Sequence, residues 1–117
     1  TRANADAIHK QMMSLTAHHP QAKVEVKGGV SVHPMERTPE IVALFRQAQK
    51  LASEMGLELN EGSTGGGSDG NRTAALGIPT LDGMGIVGEG GHSIHEYGEI
   101  ASLPERSAIM ATMLHMT

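Results

Sequence analysis

The sequence contains no cysteine, and this absence excludes disulfides, thiolate zinc sites and cysteine nucleophiles. It also lacks an apolar run that approaches the roughly 20 residues of a membrane-spanning helix, and no signal-peptide pattern opens the chain. We therefore expect a soluble protein without a membrane partner. The sequence leaves the compartment open between cytoplasm and periplasm.

Aromatic residues are nearly missing, since there is no tryptophan and the chain has one tyrosine and one phenylalanine. Aliphatic side chains and eight methionines must fill the interior that aromatic rings usually anchor. A chain of 117 residues can bury one domain core, yet this composition is poor for a complete domain. Because the chain also begins with Thr1 rather than methionine, we expect a piece of a longer protein.

Positive charge is in the minority, with 9 Lys and Arg against 13 Asp and Glu and a formal net charge of −4. The basic residues are scattered, so no electrostatic footprint for a phosphate backbone is visible. We expect no nucleic-acid partner.

Capping residues and apolar residues at helical spacing predict four helices. They are expected over residues 4–17 with Asn4 as cap, over residues 39–55 with Thr38 as cap, over residues 69–76, and in a closing segment from Ser102. The closing segment opens with a Ser-x-x-Glu capping box.

Alternation with period two predicts strands over residues 23–33, 57–61 and 78–84. Residues 85–97 are rich in glycine and are predicted to form a loop. The alternating order of helices and strands indicates an α/β fold in which helices cross over between strands.

His92 is the strongest metal-ligand candidate. It lies in the glycine-rich loop after a predicted strand, where ligands of open α/β sheets commonly bind, and imidazole is the commonest zinc ligand. The alternative is a solvent-exposed histidine or one bonded to the backbone. His95 and Glu96 add donors nearby, but their spacing does not match the helical zinc-protease motif.

Residues 65–71 are a second candidate, because successive backbone amides at a helix start can bind an anion. The segment does not match the phosphate-loop pattern, since no Gly-Lys-Ser/Thr follows. The alternative is a flexible turn capped by Ser68 or Asp69.

Four blocks together resemble one family of enzymes. They are PMERTP at residues 34–39, GGGSDGN at 65–71, LGIPTLDG at 76–83 and GHSIHEY at 91–97. In this order they are similar to the dinuclear-zinc hydrolases that include glutamate carboxypeptidases, acetylornithine deacetylase and succinyl-diaminopimelate desuccinylase. The resemblance covers most of residues 30–102.

The resemblance implies that this chain is the C-terminal part of a longer enzyme. Residues 1–33 would be the last helix and strand of an α+β lid domain, through which the parent forms a homodimer. Residues 38–117 would be the C-terminal part of the catalytic α/β domain. That domain would contain a partial sheet with crossover helices, which also explains the aromatic-poor core.

For the site, the resemblance places His92 at the family's C-terminal zinc ligand. It sets the backbone of Gly65, Gly66, Gly67 and Ser68 against the substrate's carboxylate. The complete enzymes use two zinc ions to activate a water and polarise an amide carbonyl, with a glutamate as general base. A catalytic zinc needs about three protein ligands, so we expect no catalytic residue in this chain and no activity from it alone.

The resemblance also leaves substrate binding incomplete. In many relatives an arginine just before the Pro-Met-Glu block binds the carboxylate, whereas Val32 and His33 occupy that neighbourhood here. Nothing assigns Arg37 to replace it, and His95 stands where relatives often carry aspartate. The expected reaction is that of a carboxypeptidase or amidohydrolase, which cleaves an amide next to a carboxylate in a small peptide or N-acyl amino acid.

Two other functions stay open. The first is a non-catalytic dimerisation or interaction module, in which the valine-rich strand from Val24 to Val32 forms a sheet edge that pairs with a second copy. The second is a free-standing α/β domain that binds an anion at Gly66 and Gly67.

Overall fold

The structure, a computed structural model, describes residues 1–116. Its helices are α1 (Arg2–Met13), α2 (Pro39–Glu54), α3 (Gly70–Ala75) and α4 (Leu103–His115), with a 3-10 helix at Ile100–Ser102. Its strands are β1 (Gly88–Glu89) and β2 (Tyr97–Gly98). None of the helices in the described residues combines the length and apolar character needed to cross a lipid bilayer.

Contacts divide the chain into two units. Unit 1 is Thr1–Arg37 with Gly65–Ile78, and unit 2 is Thr38–Thr64 with the chain from Pro79 onward. The assignment of residues 1–33 to a lid domain and residues 38–117 to a catalytic domain stays a prediction.

Helix α2 confirms the sequence prediction closely. The Thr38 side chain accepts a hydrogen bond from the Ile41 amide at 3.3 Å, and proline follows the cap at the first helical position. Gly56, with φ of 73°, adopts the left-handed conformation that glycine tolerates just after a helix end. These signals all lie within the segment itself, so they act before any tertiary packing is formed.

The core of unit 2 forms where α2 packs against α4. Its buried members are Phe45, Ala48, Ala52, Leu59 and Ile109. The two alanines of α2 are fully buried, and Ile109 of α4, only 1% exposed, belongs to the same cluster. The core therefore contains the single phenylalanine of the chain, and the methionines Met84 and Met113 pack against it partly buried.

Helix α1 begins and ends earlier than predicted. Thr1 rather than Asn4 is the cap, because the Thr1 hydroxyl accepts from the Asn4 amide at 3.2 Å. The helix ends at Met13 because the Ser14 hydroxyl donates to the Gln11 carbonyl at 2.8 Å and draws the last turn tight. No residue of α1 is buried in the structure described, so packing does not extend the helix further.

The three predicted strands form no hydrogen-bonded ladder within residues 1–116. Alternating valines specify which side of a strand is apolar, but a strand also needs a neighbour to bond with. The sheet lies instead in the segment predicted as loop, where β1 and β2 pair antiparallel with Gly88 opposite Gly98 and Glu89 opposite Tyr97. The mixture of helices with a small sheet is compatible with the α/β class.

The predicted capping box at α4 is wrong. Ser102 makes no side-chain cap bond to the helix, because its hydroxyl donates to the Glu99 carbonyl at 2.7 Å and accepts from the Val87 amide at 3.0 Å. Ser102 is 6% exposed and ends a 3-10 turn that leads into α4. A tertiary contact has taken the hydroxyl that the local pattern assigned to capping.

Candidate metal-ligand hairpin and glycine loop

The hairpin that carries His92 is held by close backbone pairing. Beyond β1 and β2, the Glu99 amide donates to the Val87 carbonyl at 2.7 Å and extends the pairing by one step. A Cβ atom on Gly88 would overlap the carbonyl oxygen of Tyr97 in the opposite strand. Glycine is therefore required at position 88 by the close approach of two strands.

His92 lies in the turn between β1 and β2 with φ of 66°, the one non-glycine residue of residues 1–116 with a positive φ. This left-handed conformation costs an ordinary L-residue about 1 kcal/mol. Hydrogen bonds on both sides of His92 hold the turn: the Ser93 amide donates to the Gly90 carbonyl at 3.0 Å, and the His92 amide donates to the Glu96 carboxylate at 3.3 Å. The turn thus fixes the backbone of His92 while the residue stays exposed.

The donors around His92 fit one zinc ligand and not a complete zinc site. Residues 1–116 contain no group of three or more His, Asp or Glu side chains placed to hold a metal ion. Glu96 already accepts from the His92 amide, and His95 is exposed with its amide bonded to the Ser93 hydroxyl at 3.1 Å. An exposed imidazole on an ordered turn can supply one of the roughly three ligands that a catalytic zinc needs.

The glycine loop, residues 65–68, lies in unit 1, whereas the hairpin lies in unit 2. The side chains of Ser68 and Asn71 order the C-terminal end of this loop, and no sequence pattern predicted that they act together. The Ser68 amide donates to Asn71 Oδ1 at 2.8 Å, and the Gly70 amide donates to the Ser68 hydroxyl at 3.0 Å. Asp69 precedes α3 but makes no side-chain cap bond, so Ser68 is the residue that supports this turn.

Helix α3 is too short to support the helix-dipole part of the anion argument. It has six residues, and a single short turn adds little to the field at its start. The Ser68 amide is also occupied by Asn71, which removes it from the set of donors that point outward. Any anion contact therefore depends on the backbone of the preceding glycines.

The fold itself gives no packing reason for glycine at positions 65 and 67. A Cβ at either position would meet nothing within 4 Å, and neither residue has a positive φ. By contrast, Gly77 after α3 has φ of 81° and is required by its conformation. The chain should therefore tolerate alanine at 65 or 67, and the added methyl group would contact only a molecule that approaches from outside.

His33 and Asn71 form a long-range contact that no sequence pattern predicted. Asn71 Nδ2 donates to the His33 carbonyl at 2.9 Å, across 38 positions of the chain. The His33 ring nitrogen Nδ1 is buried without a hydrogen-bond partner among the described residues. This nitrogen is therefore not presented to solvent. The only available signal for Asn71 was its position in the GGGSDGN block, which does not reveal a distant partner.

Comparison with protein-family models matches residues 4–116 to Peptidase family M20/M25/M40. The match covers nearly the whole chain, including most of α1, both site segments and α4. Comparisons with curated proteins and with solved structures gave no match.

Proposed function

This chain belongs to Peptidase family M20/M25/M40, and from that membership we propose that it is part of a zinc-dependent hydrolase that cleaves an amide bond next to a carboxylate. The family match carries the proposal, because it covers residues 4–116 and identifies a peptidase. Peptide substrates follow from the family. We propose further that the cleaved amide lies next to a carboxylate, as in a small peptide or N-acyl amino acid.

His92 is the proposed zinc ligand of this chain. Its ordered left-handed turn and exposed position support this role, since a ligand side chain needs a fixed backbone and an accessible ring. Zinc in such enzymes lowers the pKa of a bound water and polarises the amide carbonyl. The remaining ligands and the general base would come from outside these residues, so the isolated chain should not hydrolyse amides.

The test replaces His92 by asparagine in the parent protein, because asparagine tolerates the left-handed backbone that His92 adopts. We expect amidase activity to fall by more than about a hundredfold, and zinc content to fall as well. His95→Asn is the matched control, since His95 lies exposed in the same turn. Full activity and full zinc content in His92→Asn would refute the assignment, and zinc-dependent turnover by the 117-residue chain would refute the claim that it is inactive alone.

The glycine loop is the proposed contact for the substrate's carboxylate, through the backbone of Gly65, Gly66 and Gly67 with Ser68 as its support. The absence of a packing reason for glycine at 65 and 67 supports this role. Gly67→Ala should leave the unfolding midpoint of the chain unchanged and raise KM in the parent, because a methyl group there meets only the incoming substrate. Gly62→Ala, equally open in the structure, is the control. An unchanged KM in Gly67→Ala would exclude close approach at that residue.

A second function, self-association through the segment from Val24 to Val32, is favoured by its charge pattern. The segment has no strand partner within residues 1–116, and both terminal valines are exposed. If two copies pair antiparallel about Val26, Glu25 of each copy lies opposite Lys27 of the other. Opposite charges at such positions stabilise a pair of strands by about 0.2–1 kcal/mol. In the single chain Glu25 and Lys27 are exposed and pair with each other at 3.0 Å.

Sedimentation of the chain tests this pairing. Lys27→Glu places like charges opposite each other and should shift the chain toward monomer. The double variant Glu25→Lys with Lys27→Glu again places opposite charges across the pair and should restore the dimer. A wild-type monomer at high concentration, or a dimer indifferent to Lys27→Glu, would refute the pairing.

A further inference from the structure

We infer that Asn71 is a positioning residue for the glycine loop, which it ties to the backbone of His33. The inference rests on the proposed function, because the loop binds substrate only under that proposal. It adds a residue to which neither the sequence patterns nor the family match assigns a role.

Asn71 uses both ends of its side-chain amide. The oxygen accepts from the Ser68 amide at 2.8 Å, and the nitrogen donates to the His33 carbonyl at 2.9 Å. Both bonds are partly buried, so water competes with them less than at the surface. One side chain therefore links the end of the glycine loop to a segment 38 positions away.

The position of Asn71 matters because glycines have no side chains that could orient the loop. Side chains cannot anchor Gly65 and Gly67, and no atom lies within 4 Å of where their Cβ atoms would be. At His33 the link uses the backbone carbonyl, whereas the buried ring nitrogen Nδ1 is without a partner in the described residues. A buried polar atom without a partner is unfavourable, so Nδ1 contributes no hydrogen bond that would hold this segment in place. The two bonds of Asn71 therefore connect the end of the loop at Ser68 directly to the His33 carbonyl.

Two substitutions separate the two halves of this link. Asn71→Asp keeps an oxygen for the Ser68 amide but loses the donor to His33, whereas Asn71→Ala loses both bonds. Asn60→Ala is the control, since the Asn60 side chain is exposed and bonds only to Glu58 two positions away. In the parent we expect both Asn71 variants to raise KM by about tenfold with kcat within about twofold, as loss of a remote binding contact predicts. Asn60→Ala should match the wild type.

A purely structural role would give a different result, namely a lower unfolding midpoint and lower kcat with KM unchanged, and that outcome would overturn the inference. NMR spectra of the 117-residue chain test the link without substrate, through the amide resonances of residues 65–67. They should move in Asn71→Asp and stay in place in Asn60→Ala. If they do not move in Asn71→Asp, the inference is wrong whatever the parent does. If the parent has no amidase activity, the proposed function is wrong. If the resonances are nevertheless displaced in Asn71→Asp, the link between Asn71 and the loop still holds.

Discussion

Ser102 holds the base of the hairpin that carries His92, and Ser102→Ala is the sharpest test of that structure. The hydroxyl accepts from the Val87 amide just before β1 and donates to the Glu99 carbonyl just after β2. The Glu99 carbonyl keeps a second bond, from the Ser102 amide at 2.9 Å, so alanine leaves mainly the Val87 amide without its partner. A buried donor that loses its partner costs about 1–3 kcal/mol. Because Val87 is 36% exposed, water replaces part of the bond, and we expect a loss of about 1–2 kcal/mol.

Urea unfolding of the chain measures this loss as a lower midpoint with an unchanged m-value. Ser107→Ala is the matched control, because Ser107 lies exposed in α4 and its replacement should be within about 0.5 kcal/mol of neutral. Ser102→Ala should also displace the amide resonance of His92, because it loosens the base of the hairpin. Equal midpoints for the two alanine variants would refute the reasoning that Ser102 fixes the hairpin.

Three further predictions concern the elements that support the site. Ile109→Ala should lower the free energy of unfolding by about 2–5 kcal/mol, because the side chain is 1% exposed in the core, and calorimetry or urea unfolding measures it. Gly88→Ala should abolish the hairpin's cross-strand amide contacts in NMR spectra, because its methyl group overlaps the Tyr97 carbonyl. The pKa of Glu40 is lowered by a hydrogen bond from its own backbone amide and by the Thr38 hydroxyl, so its contribution to stability is present above its unfolded pKa and lost as pH falls through the folded one. NMR titration of Thr38→Val should therefore show the Glu40 pKa closer to its ordinary value, and an unchanged pKa would contradict this.

The sequence predicted those elements whose signals are local. Helix α2 has its cap at Thr38, its proline and its terminal Gly56 within its own segment, and the structure reproduces all three. The valine strand could not be predicted in the same way, because a ladder depends on a partner that the alternation of Val24 and Val26 does not specify. Ser102 shows the limit most clearly, since its Ser-x-x-Glu pattern predicts a capping bond, whereas its hydroxyl instead bonds to the Val87 amide fifteen positions away.

The glycines of the hairpin and those of the glycine loop are present for different physical reasons. Gly88 is required by the opposite strand, whereas Gly65 and Gly67 are required by neither packing nor backbone conformation in this chain. His92 is the converse case: its left-handed backbone is one that glycine would adopt at lower cost by about 1 kcal/mol, yet the position carries an imidazole. The left-handed imidazole in the hairpin and the glycines at 65 and 67, which lose more backbone entropy on folding than alanine would, both lack an explanation in folding alone. Both are explained if an external group, a metal ion at His92 and a substrate at the glycine loop, determines which residue stands there.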